Sequence, residues 1–332
     1  MGDNLKKRII FSILLGFATA FTGIFFQNCG SNEFAFSTIT SSASVKRQEV
    51  DLGGGVVQVT DKFVVRAEKQ SMIDMVWVVD NSGSMSQEAA HVRNNVLAFA
   101  TAAEKEARLK MALISLISNK GYGTYLPDSL KAAGGLEINA TVSSHNALVM
   151  LGAALCVDPN MPFCAEYKVS NAQGKLNGFF RDGAKKLFVI VTDDESQISS
   201  STFLQFLNDK YPNERARIFG FVGLGAGVSP CQAKTGQQYV NLSSESAGAV
   251  YNICSEDWTS HFSELTQAVS VIANYEYELK VSQIKEIISV KINGAVLSPA
   301  AYTIQNGVLS LNPTTSMSLA GGELEIVYTY SI

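Results

Sequence analysis

Four short apolar runs recur between helix-forming stretches in the middle of this chain, and that alternation narrows the fold more than any other feature. The runs are residues 73–80, 109–117, 185–192 and 217–222, rich in Val, Ile, Leu and Phe. Segments of this length with apolar residues at consecutive positions suit strands buried on both faces. Residues 86–106, 146–155, 200–210 and 257–273 read as helices. On the first helix Val92, Val96, Leu97 and Phe99 supply the buried stripe, and Ser84 or Ser86 is the natural N-cap. Residues 119–130, with Gly121-Tyr122-Gly123, read as loop or as a short antiparallel edge strand. The alternation predicts an α/β fold, a doubly wound and mostly parallel sheet, over residues 71–274.

The pattern changes after residue 274. Residues 275–281, 287–292, 302–304, 308–311 and 324–330 have strand character, and Asn293-Gly294 and Asn306-Gly307 are hairpin-turn signals. This predicts a small all-β, sandwich-like domain over 275–332. Alone it is near the lower size limit for independent stability. Residues 53–70 carry two further strand-like segments, Val56-Val57-Gln58-Val59 and Lys62-Phe63-Val64-Val65, after the turn Gly53-Gly54-Gly55. These strands are expected to join the C-terminal β unit.

At the other end, Lys6-Lys7-Arg8 precedes an uncharged apolar stretch, 9–26, and Cys29 follows. The arrangement resembles a bacterial lipoprotein signal peptide over 1–28, in which Cys29 is lipidated and becomes the new N-terminus. An uncleaved membrane anchor is the alternative, because about 18 apolar residues just span a bilayer. The Ser/Thr-rich tract after Cys29 leads to a flexible tether over 29–52. The resemblance implies a lipid-anchored protein of a bacterial cell envelope, at the outer membrane and facing the periplasm or the surface.

Four other cysteines, Cys156, Cys164, Cys231 and Cys254, allow three disulfide connectivities. Export favours disulfides over buried free thiols, and local pairing, Cys156–Cys164 and Cys231–Cys254, is the simplest arrangement. A net charge of −4 over 332 residues argues against nucleic acid as a partner, since phosphate binding needs a basic surface. The three histidines, His91, His145 and His261, have no zinc-ligand spacing. His91 reads as part of a solvated helix face, His145 as a loop residue next to Ser144, and Trp77 and Trp258 as core.

Two of the apolar runs end in carboxylates, at Asp80 and at Asp193-Asp194-Glu195. The first continues as Asp80-Asn81-Ser82-Gly83-Ser84-Met85, which places three hard oxygen donors in a strand-to-helix turn. Mg²⁺ takes such ligands in octahedral geometry and keeps several of its waters. The motif resembles the metal-ion-dependent adhesion site of von Willebrand factor type A domains. The resemblance implies a metal site of Asp80, Ser82, Ser84 and Asp193, holding Mg²⁺, or Mn²⁺ or Ca²⁺. Family members add a Thr from a Gly-Gly-Thr loop. Here that loop reads Ala140-Thr141-Val142-Ser143-Ser144-His145-Asn146, so Ser144 is the candidate, with Thr141 and Ser143 behind it. The implied function is capture of an Asp or Glu from a partner protein by the metal, for adhesion or assembly. Two other roles stay open: a structural envelope lipoprotein whose metal staples the loop, or a regulator of a separate enzyme. Catalysis by this chain is not expected. A phosphatase of the haloacid dehalogenase class needs a second carboxylate at position 82, which is Ser, and Gly-x-Ser-x-Gly is absent.

Overall fold

The computed structural model describes residues 45–65, 71–212, 214–281, 283–312 and 322–332. The signal-peptide reading, Cys29 and the tether up to residue 44 fall outside these residues. The chain enters through two antiparallel strands, β1 (Val45–Gly53) and β2 (Val56–Val64), joined by a turn in which Gly53, Gly54 and Gly55 all have positive φ. Residues 45–52 are therefore strand and not tether. The composition hid this, because β1 is an edge strand with mostly exposed side chains. It is held by its ladder with β2 and by a bidentate bond from Arg47 to the buried Asp61.

The α/β unit follows. It comprises β3 (Met72–Val79), a 3₁₀ turn (Gly83–Met85), α1 (Ser86–Ala103), β4 (Arg108–Ser115), α2 (Asp128–Ala132), β5 (Leu136–Asn139), α3 (Ala147–Leu155) and α4 (Pro162–Glu166). It continues with β6 (Lys185–Thr192), α5 (Ser200–Lys210), β7 (Ala216–Val222), α6 (Gln237–Glu245), β8 (Val250–Asn252) and α7 (Trp258–Tyr275). Six parallel strands pair in the order β5-β4-β3-β6-β7-β8. Alternation along β3 sends side chains to the two faces in turn. Ile73, Met75, Trp77 and Val79 pack under α1 and α7 with Val92, Val96, Phe99, Phe262 and Leu265. Val76 and Val78 face α3, α5 and α6 with Leu148, Leu151, Phe203 and Leu242. Trp77 stacks on Phe262 at 5.7 Å, so it is core as expected.

Two local expectations are corrected, and of the two readings of 119–130 the loop is the one found, up to α2. Leu97 is 46% exposed, because the buried stripe of α1 runs Val92, Val96, Phe99, Ala100, Ala103 and position 97 lies well around the helix from it. No antiparallel edge strand forms over 119–130. The chain makes a loop with one parallel bridge, Ile117 to Thr124, then α2 carries it back so that β5 runs parallel to β4. His91 is not on a solvated face, since its ring stacks on Trp258 of α7 at 5.1 Å.

The remaining strands are β9 (Glu276–Glu278), β10 (Glu286–Ile292), β11 (Ala295–Val296), β12 (Tyr302–Gln305), β13 (Val308–Leu311) and β14 (Glu323–Ser331). They form a five-stranded sheet, β1-β2-β14-β10-β11, and a three-stranded sheet, β12-β13-β9, both antiparallel. Val59 and Phe63 of β2, Ile326 and Tyr328 of β14 and Val290 of β10 share one core with Tyr277, Leu309 and Leu311 from the smaller sheet. Asn293-Gly294 and Asn306-Gly307 all have positive φ, as a two-residue type I′ hairpin requires. β2 pairs with β14 from Val64–Glu323 to Val56–Ser331, so the α/β unit is inserted between two neighbouring strands of one sheet.

Candidate metal centre

β3 is followed in the sheet by β4 on one side and by β6, much later in the chain, on the other. The carboxyl ends of β3 and β6 therefore flank the point where the winding reverses, the usual place for a ligand site in a doubly wound sheet. Asp80 follows the last residue of β3 and Asp193 follows the last residue of β6. The two strand ends are joined by the Asp80 amide donating to the Val191 carbonyl at 2.9 Å.

Asp80 is fully buried. Its Oδ1 accepts the Ser82 amide at 2.7 Å and its Oδ2 accepts the Thr192 hydroxyl at 2.8 Å. The Ser82 and Ser84 hydroxyls lie 3.2 Å apart. Neither Ser84 nor Ser86 caps α1: the N-cap is Met85, with no side-chain bond. The 3₁₀ turn Gly83–Met85 carries the chain into the helix, and Ser84 is inside that turn.

Asn81 joins the second loop to the first. Its Oδ1 accepts the Val142 amide at 2.9 Å, its Nδ2 donates to the Ala140 carbonyl at 3.4 Å, and its own amide donates to the Val142 carbonyl. This brings the 140–146 loop over the Asp80 turn. The Ser144 carbonyl lies 3.3 Å from the Thr192 hydroxyl. Ser144 is partly buried, whereas Thr141 and Ser143 are exposed.

The three acids after β6 have separate tasks. Glu195 accepts the Ser196 amide at 2.8 Å and the Gln238 amide at 3.1 Å, the latter in the first turn of α6, where the helix dipole favours a negative charge. Asp194 accepts the Glu195 amide at 2.7 Å and lies 3.3 Å from His145 Nδ1 and 3.8 Å from Lys234 Nζ. Asp193 is 4% exposed, and its Oδ1 is buried with no hydrogen-bond partner among the described residues. The Asp193 carbonyl accepts the amides of Ala233 and Lys234 at 2.8 and 3.2 Å. Those amides sit in a loop closed by the disulfide Cys231–Cys254, and a second disulfide joins Cys156 to Cys164. Both are the local pairs expected from the sequence.

Burial raises the pKa of Asp80, opposed by the Ser82 and Thr192 donors and reinforced by the charge of Asp193. Burial also raises Asp193, opposed mainly by the Ser84 hydroxyl. Among the described residues no Lys, Arg or His forms an ion pair with either aspartate. The donors that converge are hydroxyl and carboxylate oxygens, with no His or Cys. No group of three or more His, Cys, Asp or Glu forms a metal cage among the described residues. An orphaned, buried Asp193 oxygen beside a second buried carboxylate fits a hard cation. Thr192 and Asn81 were not singled out by sequence reading. Their roles rest on bonds to residues 112 and 61 positions away, and no local signal marks them.

No protein-family model and no curated protein matches this chain. Among solved structures it is similar to the pilus adhesin SpaC from Lactobacillus rhamnosus GG, at 12% identity over 87% of this chain and 43% of that one, with a TM-score of 0.35. The same adhesin in an open conformation gives 0.36. It is also similar to proximal thread matrix protein 1 from the mussel byssus, a structure with a zinc-occupied MIDAS motif, at 12% identity over 64% of this chain and 48% of that one, with a TM-score of 0.35. This chain spans less than half the length of each. The fold described above rests on strand order and register, not on these likenesses.

Proposed function

We propose that this protein is an extracytoplasmic binding module of the von Willebrand factor type A kind, which captures a carboxylate of a partner protein through a bound divalent cation. The observation that carries the reading is the buried, partnerless Oδ1 of Asp193 next to the Asp80 turn. Asp80, Ser82, Ser84 and Asp193 would hold the cation, with Ser144 contributed by the second loop. Mg²⁺ suits the oxygen donors best, and Mn²⁺ and Ca²⁺ share their chemistry. Bound there, the ion supplies a positive centre whose remaining positions accept water or an Asp or Glu from the partner. The two disulfides suit an oxidising compartment, and the leader implies a lipid anchor at Cys29 in a bacterial envelope.

A cation that merely staples the loop is the weaker alternative. Asn81 and Thr192 brace the Asp80 turn with protein hydrogen bonds, which leaves less for a stapling ion to do. The deciding experiment is partner capture from envelope extracts by the intact protein, with and without EDTA, and by Asp80→Ala. Capture lost in both, with circular dichroism unchanged, supports adhesion or assembly. Capture that survives both contradicts it, and a captured enzyme whose activity changes would point to regulation instead.

A further inference from the structure

β7 lies parallel to β6 and next to it, so the loop that leaves its carboxyl end, residues 223–236, starts beside Asp193. It is longer than the roughly 2–6 residues that usually join a strand to the next helix. It is also held from several sides. Gln232 is 3% exposed, and its side chain donates to the carbonyls of Gly225 and Gly227, both at 2.7 Å, and accepts the Gly225 amide at 3.0 Å. A Cβ on Gly223 would lie 2.5 Å from that side chain, so the glycine makes its seat. Thr235 donates its hydroxyl to the Gly225 carbonyl at 2.6 Å, and the Cys231–Cys254 disulfide closes the far side. Ser229 and Gln232 exchange backbone bonds at 2.8 and 3.2 Å. That antiparallel bridge leaves Val228 alongside Ala233, whose amide holds the Asp193 carbonyl. Val228 is nevertheless 83% exposed.

We propose that this loop selects the partner: Val228 receives an apolar side chain that neighbours the captured Asp or Glu in a segment of the partner protein, and Lys234 attracts the segment's negative charge. The proposal rests on the cation reading given above and adds to it which segments are taken. A plain connector needs neither a buried glutamine nor a disulfide to carry an exposed valine. Fixing that side chain in advance removes an ordering cost that would otherwise fall on binding. The charge agrees, since residues 223–236 hold no acid and one base, Lys234. Its side chain is 63% exposed, with Nζ 3.8 Å from Asp194, so it stands on the rim of the site. The competing explanation is a loop stapled only to hold the Asp193 carbonyl, with Val228 as an idle surface residue. On that account the amides of Ala233 and Lys234 matter and the side chain at 228 does not.

The test is binding of the full chain, with Mn²⁺, to an array of short peptides that share a central Asp and differ in its two neighbours. Wild type is expected to favour peptides with Leu, Ile, Val or Phe beside the Asp. Val228→Ser is expected to lose that preference and to bind the best of them about tenfold more weakly, the scale of one buried valine. Lys234→Gln is expected to weaken all the peptides alike and to flatten their salt dependence. Calorimetric titration with Mn²⁺ on each protein separates loss of the rim from loss of the ion. The same ranking of peptides by wild type and Val228→Ser overturns the proposal, and so does a wild-type chain that binds Mn²⁺ but no peptide. If wild type binds no Mn²⁺, the cation reading falls and this proposal with it.

Discussion

Thr192 shows how one hydroxyl can position a site without belonging to its motif. It donates to Asp80 Oδ2 from the last position of β6 and so ties the carboxylate of one strand end to its neighbour. Thr192→Val keeps the shape and leaves that buried oxygen without a donor, at a cost of about 1–3 kcal/mol. Urea unfolding of the metal-free chain checks this, and an unchanged midpoint would mean that the bond carries nothing. The motif residues were legible because their chemistry is written in adjacent positions: Asp80, Ser82 and Ser84 follow one another at alternate places after an apolar run. Asp193 was legible as the end of a second such run. Asn81 and Thr192 were not, since both act through long-range bonds that leave no local pattern. The resemblance singled out Asp193, and the structure adds that its neighbours Asp194 and Glu195 are already engaged by backbone amides.

At the scale of elements, the strongly periodic or continuously apolar segments were read nearly to the residue, β6 and α5 among them. Those missed were short or polar. α6 buries little beyond Tyr239 and Leu242, and β8 has three residues, too few for a period to emerge. The packing of α1 on α7 carries a pH dependence. Burial holds the pKa of His91 below its ordinary 6.5, so the folded state prefers the neutral ring. The stability this contributes is complete above pH 6.5 and is lost as pH falls through 6.5 toward the folded value. His91→Phe keeps an aromatic ring against Trp258 and does not titrate. Its thermal midpoint is expected to fall less than that of wild type between pH 7.5 and 5, and parallel slopes would contradict the assignment. The loop after β7 offers a second test. Replacing Cys231 and Cys254 by Ser opens a loop closed across 23 positions, with a loss of about 3 kcal/mol on the chain-entropy account. Because that loop holds the Asp193 carbonyl, Mn²⁺ affinity is expected to weaken in the same variant.

For the whole molecule, the notable feature is a β-sandwich assembled from both ends of the described chain. Tyr328 donates its hydroxyl to Asp61, 267 positions earlier, at 2.9 Å, and Asp61 also receives Arg47. Strand content at both ends was legible in the alternation and the Asn-Gly turns, but the pairing of β2 with β14 is a long-range contact that no local pattern specifies. A chain starting at residue 66 loses β1 and β2 and bares Leu324, Ile326 and Tyr328. Limited proteolysis of it should digest 276–332 while the α/β core survives, and a protected C-terminal fragment would contradict the shared-sheet account. The end of α7 and the start of β9 are tied to the α/β unit: Ser71 donates to the Ala273 carbonyl, Lys185 to the Glu276 carbonyl, and Arg217 pairs with Glu276. Everything proposed about function, however, depends on a cation binding at the other end of the sheet. The most direct test is Mn²⁺ bound by the metal-free chain, followed by electron paramagnetic resonance, for wild type and Asp193→Asn. One ion per chain, displaced by Mg²⁺ and lost in Asp193→Asn without loss of fold, is the result predicted. No bound Mn²⁺ at millimolar concentration, or binding indifferent to Asp193, would contradict it.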